Sequence, residues 1–344
     1  MLTYAPRVFA PEHVAEIFSE VLFANRSIGR GLVRGVTDIL HSQGVTSLTG
    51  DIELGARIDH VTDAVVASRS NNLAFSDGTL VPQQLMALEF FNMNELRNTR
   101  FGRTMNTADR TFQSSEFDTA VLDYTLPRIG KSYERRMHVG ITAISQAAIA
   151  ASGSAVSAAT KAWAAAQTPG LVDGFVARMV LGKIAGANIA ILDGVTVTAT
   201  NIATEYGKLY SNADGAVAGN PETVIFAPLS DRSLILQYNL AQTNRDTFVV
   251  TGMGTEAEMF MYLGVPIEFV ETQGRQAGAA TGVPARYLGR GKDQGDFVYG
   301  TNLTSALNSA TIEKVNTFST LLGMRMDVTL DTLVLVPQQK VLYL

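Results

Sequence analysis

Histidines are the residues that most often carry metal or acid–base chemistry, and the four in this sequence stand far apart (His13, His41, His60 and His138). Metal motifs such as H-E-x-x-H place their ligands a few residues apart, and no such spacing occurs here. The G-x-S-x-G and S-x-x-K patterns of serine nucleophiles are also missing from the sequence. Gly182-Lys183 lacks the first glycine of a P-loop, because position 177 is Ala177. The sequence therefore predicts no catalytic residue, no metal site and no cofactor.

Two weaker patterns each have a second explanation. Gly289-Arg290-Gly291-Lys292 could cradle a phosphate, but Gly295 follows one residue too late, and a turn before a strand explains the run as well. The pairs Asp51/Glu53 and Glu256/Glu258 have the same-face spacing of a strand, where two carboxylates can serve acid–base catalysis. Solvated surface charge is the more common role of such pairs.

A cluster of three arginines, Arg97, Arg100 and Arg103, is the remaining candidate for a functional contact. It lies in the stretch 46–118, which has little hydrophobic periodicity but several phenylalanines. A segment of this length without a core of its own is either a functional extension or disordered, and its aromatic residues favour packing against another surface. We predict that this stretch contains an extended loop that crosses a neighbouring subunit, with the three arginines as possible intersubunit contacts.

Composition limits the class of protein. The chain has 344 residues, of which 46% are hydrophobic and only 17% charged, so it is ordered and either has a large core or hides surface in subunit contacts. A net charge of −5 does not recruit nucleic acid to the molecule as a whole. The absence of cysteine excludes disulfides and thiolate sites. With neither a long apolar run nor a signal pattern, the protein is expected to be soluble and made in the cytoplasm.

Helical patterns recur between Pro11 and Ile184. Pro11 begins a helix whose apolar face holds Val14, Ile17, Phe18, Val21 and Leu22. A short helix is predicted over 82–96, and a strand over 121–126 that Pro127 ends. Twelve of the 24 residues from 143 to 166 are alanine, which predicts one long helix that needs little tertiary support. A proline at Ala158, in its middle, is expected to kink this spine.

A second helix is predicted to begin with Thr168 as N-cap and Pro169 as first residue. Its apolar stripe, from Leu171 to Ile184, is expected to pack against the core with Phe175 buried, so that Phe175→Ala gives insoluble protein. Strands and helices then alternate, with strands predicted at 194–200, 223–227, 264–271, 297–301, 324–330, 332–336 and 340–344, helices at 201–210 and after Pro228, and a loop at 275–285.

The order of these segments along the chain resembles that of a known protein family. A strand runs directly into a helix at Pro221-Glu222-Thr223-Val224-Ile225-Phe226-Ala227-Pro228-Leu229-Ser230-Asp231-Arg232, and Asp296-Phe297-Val298-Tyr299-Gly300-Thr301-Asn302-Leu303 leads into closing strands. Together with the arm, the extended region and the long helix, this order resembles the major capsid proteins of tailed bacteriophages, which have the Hong Kong 97 type fold.

The resemblance implies an α+β fold with five parts. These are an N-terminal arm at 1–45, an extended β-rich region with the E-loop at 46–130, the long spine helix and other helices of the P domain at 131–192, an A domain at 193–295, and closing strands that return to the P domain at 296–344. No residue pair for covalent crosslinking is carried over from the family.

The implied function is structural and not enzymatic. The chain would self-assemble through hexamers and pentamers into the icosahedral head shell that encloses double-stranded DNA, without sequence-specific binding and without a membrane. It would be a virion component, with portal, scaffolding and decoration proteins as further partners. An encapsulin-type nanocompartment shell, an α/β enzyme with an unrecognised site, and a tail-tube or connector protein remain alternatives. Particle size in the electron microscope would separate a shell, a tube and a small oligomer.

Overall fold

The computed structural model describes most of the second half of the chain and parts of the first. The described residues are 7–8, 21, 25–50, 73–92, 115–242, 246–253, 258–270, 274–276, 279–281, 284–291, 295–302, 309–314, 321–335 and 340–344. The helix predicted from Pro11 lies outside them except for Val21, and so do the candidate carboxylates Asp51, Glu53 and Glu256.

Helices and strands are numbered separately in chain order. The helices are α1 (Arg26–Gly29), α2 (Ser115–Val139), α3 (Ala143–Ala150), α4 (Ala158–Ala166), α5 (Phe175–Ile184), α6 (Ile202–Ser211), α7 (Gly215–Ala218) and α8 (Leu229–Ala241). The strands are β1 (Arg7–Val8), β2 (Arg34–Val36), β3 (Gln43–Gly50), β4 (Leu73–Leu80), β5 (Gln83–Asn92), β6 (Ala190–Leu192), β7 (Thr223–Pro228), β8 (Phe248–Thr251), β9 (Met259–Tyr262), β10 (Val265–Val270), β11 (Gly274–Gln276), β12 (Ala279–Thr281), β13 (Arg286–Arg290), β14 (Phe297–Gly300), β15 (Ser309–Lys314), β16 (Leu321–Val334) and β17 (Val341–Tyr343).

A seven-stranded sheet, in the order β6-β17-β13-β7-β10-β9-β8, lies between two hydrophobic cores. Every residue of its central strand β7 is buried. Because side chains alternate across a strand, Val224 and Phe226 enter one core while Ile225 and Ala227 enter the other. Strands that are buried on both faces are continuously apolar, which explains the unbroken run of this strand.

The second large sheet has β16 as its longest strand. Along β16, residues 321–330 pair antiparallel with β5 and residues 331–334 with β14. Met324, Met326, Val328 and Leu330 alternate along one face and are buried, at 4% exposure or less. The last three of them belong to the core that also holds residues of α2 and α5. The predicted strands 324–330 and 332–336 are thus parts of one strand, which the alternation of apolar residues predicts correctly.

The predicted alanine-rich spine helix is wrong, because the structure breaks that run into α3 and α4. Gly153 has a φ of +59°, a left-handed conformation that stops a helix. Ser157 then caps α4 by accepting a hydrogen bond from the backbone N–H of Thr160. Serine and glycine therefore override the helix propensity of the alanines.

The longest helix of the described chain is instead α2, with 25 residues. It contains the segment predicted as a strand over 121–126, and Pro127 lies inside it. The buried residues Val121, Leu126, Tyr133 and Met137 follow helical spacing, which the proline obscured in the sequence. The division of the chain at 45, 130, 192 and 295 remains a prediction, and its second boundary falls within α2.

The break between α3 and α4 places Ala158 at the first position of α4, where proline fits. The prediction that a proline at this position kinks a long helix is therefore wrong. We expect Ala158→Pro to change the free energy of unfolding by about 1 kcal/mol or less. Ala162→Pro, at an exposed interior position of the same helix, should cost about 3 kcal/mol because it removes a backbone hydrogen bond. Urea denaturation of both variants checks this, and equal losses would contradict the break.

Other elements show where sequence patterns succeed and fail. The predicted helix over 82–96 is wrong, since β5 forms there and pairs with β16 over ten residues. The helix predicted to begin at Thr168 begins at Phe175, and the segment 194–200 is not a strand. The predicted loop 275–285 contains the paired strands β11 and β12. The predictions of β7, α8, β10, β14, β17 and α6 are confirmed to within two residues.

Candidate functional site

The predicted contact residues Arg97, Arg100 and Arg103 lie outside the described residues, so their role stays a prediction. Within the described ranges, no three histidine or acidic side chains come together in a way that could hold a metal ion. None of the described helices combines the length and apolar content needed to cross a bilayer. The features that can act in function are therefore the buried polar clusters and the exposed apolar surface.

A buried polar cluster anchors the N-terminal residues to α2. The Ser27 N–H and hydroxyl both donate to Glu134 Oε1, at 3.0 and 2.7 Å. Ser27 Oγ, having donated its proton, accepts from His138 Nε2 at 2.8 Å, and His138 Nδ1 accepts from the hydroxyl of Tyr287. Ser27, His138 and Tyr287 are completely buried. The cluster therefore ties α1, α2 and β13 together through one chain of hydrogen bonds.

Burial controls the ionisation of this cluster. It lowers the pKa of His138 to about 3, so the imidazole is neutral at pH 7. Burial raises the pKa of Glu134, and the two hydrogen bonds from Ser27 oppose that shift. Ser27 and His138 are a nucleophile and a base within hydrogen-bond reach, but a substrate cannot reach a pair that is fully buried. Their arrangement is structural.

The histidine gives the fold a pH dependence. A folded-state pKa of about 3, below the unfolded value of about 6.5, means that the unfolded chain binds more protons between these two values. The contribution of neutral His138 to the free energy of unfolding is therefore fully present above pH 6.5. It is lost progressively as the pH decreases towards 3, by up to about 4–5 kcal/mol. The raised pKa of Glu134 works in the opposite direction and offsets part of the loss.

Urea titrations from pH 7 to pH 4 measure this effect. His138→Gln keeps a donor and an acceptor in the cluster but cannot titrate, so the variant should show a flatter curve. Parallel curves for the two proteins would contradict the assignment.

Two ion-pair clusters hold other junctions of the fold. Glu268 on β10 lies 2.7 Å from the guanidinium of Arg30 and 3.4 Å from that of Arg26, which fixes the residues around α1 against the seven-stranded sheet. Burial raises the pKa of Glu268, and the two arginines oppose the shift. Asp331 on β16 accepts from the Val81 N–H at 2.7 Å and from Arg178 at 3.0 Å, which anchors the turn between β4 and β5.

In the described part of the glycine-rich run at 289–292, Gly289 and Arg290 belong to β13 and not to a loop that could hold a phosphate. Arg290 makes two hydrogen bonds to Asp296, at 2.9 and 2.7 Å, and the buried Lys340 is also paired with Asp296. Burial lowers the pKa of Lys340 to about 8, and Asp296 opposes the shift. Lys292 lies outside the described residues, so the predicted turn before β14 stays a prediction. Glu258 of the second candidate pair is bound to Arg232.

Part of the exposed apolar surface lies along β5. This strand pairs with β16 and with no other described strand, so its second edge is open in the described part of the chain. Met86, Leu88 and Phe90 on it are 57%, 43% and 53% exposed. A groove of about 670 Å³ separates β5 from α2, and Tyr124 and Leu171, also more than half exposed, line it. Exposed apolar surface of this kind is typical of contact sites.

Comparison with known structures identifies the architecture. A chain from the procapsid of satellite phage P4, a particle that includes the size determination (Sid) protein, superposes with a TM-score of 0.54 at 8% sequence identity, over 95% of this chain and 97% of that chain. The chain has the Hong Kong 97 type capsid fold. The predicted α+β class and the resemblance to phage capsid proteins are confirmed. At this identity the capsid fold carries over, but individual residue roles do not.

Two other solved structures superpose less closely on this chain. The capsid of cyanophage P-SCSP1u gives a TM-score of 0.46 at 12% identity, over 93% of this chain and 88% of that chain. The holo-SrpI encapsulin complex of Synechococcus elongatus gives 0.45 at 9% identity, over 93% and 87%. No protein-family model and no curated protein matches the sequence.

Proposed function

We propose that the chain is the major capsid protein of a tailed bacteriophage, the structural and non-enzymatic subunit of its icosahedral head shell. The superposition on the satellite phage P4 procapsid chain carries the proposal, because it covers nearly the whole length of both chains. The exposed apolar strand β5 and the open groove beside it support the proposal, since a subunit of a shell covers such surface with its neighbours.

In this function, hexamers and pentamers of the chain close into a shell around double-stranded DNA. A chain with a net charge of −5 suits a container that holds DNA without sequence-specific binding. Portal, scaffolding and decoration proteins are the further partners that such a head takes, and the shell is part of the virion after synthesis in the host cytoplasm.

Electron microscopy of the expressed protein tests the proposal, together with mass determination and nucleic-acid analysis of the particles. Closed icosahedral particles are expected, and in infected cells they should contain DNA. Shells that contain a cargo protein in place of DNA would favour a nanocompartment. A monomer or dimer under all conditions would overturn the proposal.

The arginine cluster provides a second test. Replacing Arg97, Arg100 and Arg103 together with alanine should leave the subunit folded but destabilise the particles, because each lost ionic contact is worth about 0.2–1 kcal/mol and many copies act together. Particle dissociation in increasing urea measures the effect, and the difference from the unmodified shell should shrink at high salt.

A matched control removes the same charge elsewhere. Lys131, Lys161 and Lys183 lie on α2, α4 and α5, and their joint replacement with alanine should leave the shell nearly unchanged. Particles of the arginine variant that are as stable as those of the lysine control would contradict the predicted contact.

A further inference from the structure

Helix α1 is a single turn that contacts both α2 and the seven-stranded sheet. Ser27 donates two hydrogen bonds to Glu134 on α2, at 3.0 and 2.7 Å. Arg26 and Arg30 are four residues apart and share one face, from which they form ion pairs with Glu268 on β10, at 3.4 and 2.7 Å. Two carboxylates from different elements therefore hold the same short segment, residues 26–30.

The two contacts are coupled through charge. Burial raises the pKa of both Glu134 and Glu268, and the positive charge of Arg26 opposes the shift in each. The negative charge of Glu134 raises the pKa of Glu268 further. The two carboxylates thus repel each other and share Arg26 as a counter-ion, so a change at one contact is felt at the other.

Polar contacts rather than apolar burial hold this segment in place. Ile28 is its one apolar side chain in the core, and the side chains of Arg26 and Arg30 are exposed. Glu268 is buried, yet its Oε1 makes no hydrogen bond to the described residues, because the Nε of Arg26 lies 3.4 Å away. An incompletely bonded carboxylate costs free energy when it is buried, which favours release of the segment that covers it.

We propose that residues 26–30 form a clasp that docks and releases as one unit, so that loss of its ion pair with β10 also opens its hydrogen bonds with α2. Release would uncover His138 of α2, whose Nε2 lies 2.8 Å from the Ser27 hydroxyl. The clasp lies within one subunit, so this inference does not depend on the proposed function. It gives the fold a junction that opens locally while both hydrophobic cores stay folded.

Hydrogen exchange with water, measured by NMR, tests the coupling. The Ser27 N–H donates to Glu134 and the His138 Nε2–H to Ser27, so both protons report the contact with α2. Arg30→Met removes the ion pair on the other side of the clasp. We expect it to raise both exchange rates about tenfold, the effect of losing one hydrogen bond to a charged group. The amide of Ile225 in the central strand β7 should be unchanged, because the opening is local.

Arg232→Met is the matched control. Arg232 is 40% exposed, close to the 36% of Arg30, and it pairs with Glu258 at 2.9 Å outside the clasp. This variant removes the same charge and should leave both exchange rates within about twofold of the unmodified chain. Arg30→Lys keeps the charge and should show a smaller rise than Arg30→Met.

Salt gives an independent readout that needs no variant. Because Arg30 is partly exposed, an increase from about 0.05 M to about 0.5 M NaCl should screen its ion pair and raise the exchange of the same two protons about two- to threefold. The Arg30→Met protein should respond less. This measurement on the unmodified chain stands even where Arg30→Met does not fold.

Four results would overturn the clasp. Unchanged exchange at Ser27 and His138 in Arg30→Met would show that the two contacts open independently. An equal rise in Arg232→Met would assign the effect to net charge, and an equal rise at Ile225 would assign it to global unfolding. Exchange in the unmodified chain that does not depend on salt would remove the role of the ion pair.

Discussion

Replacing Asp231 with alanine is expected to destabilise the subunit by about 3–5 kcal/mol, because the change leaves the guanidinium of Arg286 buried without its counter-ion. Asp231 is completely buried and receives two hydrogen bonds from Arg286, at 2.6 and 2.7 Å, and one from the Tyr206 hydroxyl at 2.9 Å. Burial lowers the pKa of Arg286, but Asp231 more than offsets it, so that the pKa is raised. Urea denaturation of the soluble subunit measures the loss.

A double variant separates the cost of an unpaired charge from the value of the pair. Asp231→Leu with Arg286→Met replaces both charges with apolar side chains of similar size, and it should lose far less stability than Asp231→Ala. The pair joins the first turn of α8 to β13, so it positions a helix against the seven-stranded sheet. An Asp231→Ala variant as stable as the double variant would contradict this account.

The sequence predicts the fold correctly where local patterns, such as an apolar run or a proline, agree with the burial of the side chains. In β7, the apolar run and the following Pro228 both indicate a buried strand that turns into a helix, and the structure has both. In β16, the alternation of apolar residues from Met324 to Leu330 predicts a strand, and these apolar side chains are buried in the structure. At these places propensity, pattern and packing point to the same structure.

The errors occur where one signal overrides another. Alanine content predicts a continuous helix from 143 to 166, but the propensity of alanine cannot compensate for Gly153 in a left-handed conformation next to the N-cap Ser157. Pro127 indicates the end of an element, yet α2 continues past it, because the residues on its core face bury the helix on both sides of the proline. The apolar content of β5 matches a short helix as well as a strand, and only pairing with the distant β16 decides between them.

The polar clusters could not be predicted from local sequence. Ser27 and His138 are 111 residues apart, and Asp231 and Arg286 are 55 apart, so only the fold brings them together. The one signal in the sequence is a lone histidine in the apolar context Met137-His138-Val139, which indicates burial but not its partners. The groove beside β5 was missed for a related reason, since the strand itself was predicted as a helix.

Replacing Phe175 with alanine is expected to cost about 3–5 kcal/mol and to yield insoluble subunit, because it opens a cavity in the core beneath the seven-stranded sheet. Phe175 is completely buried at the start of α5, with the ring of His138 at 5.6 Å and that of Phe297 at 5.2 Å. Domains are stable by only about 5–15 kcal/mol, so this single loss removes a large fraction of the total.

Leu171→Ala is the matched control, since Leu171 was predicted on the same apolar stripe but is 64% exposed and lies before α5 begins. Its replacement should change the free energy of unfolding by about 0.5 kcal/mol or less. A large loss for both variants would mean that Leu171 is covered within the subunit. A soluble Phe175→Ala variant with an unchanged melting temperature would contradict the core position of α5. Because the ring of His138 contacts that of Phe175, the cavity should also loosen the hydrogen-bonded cluster that anchors α1.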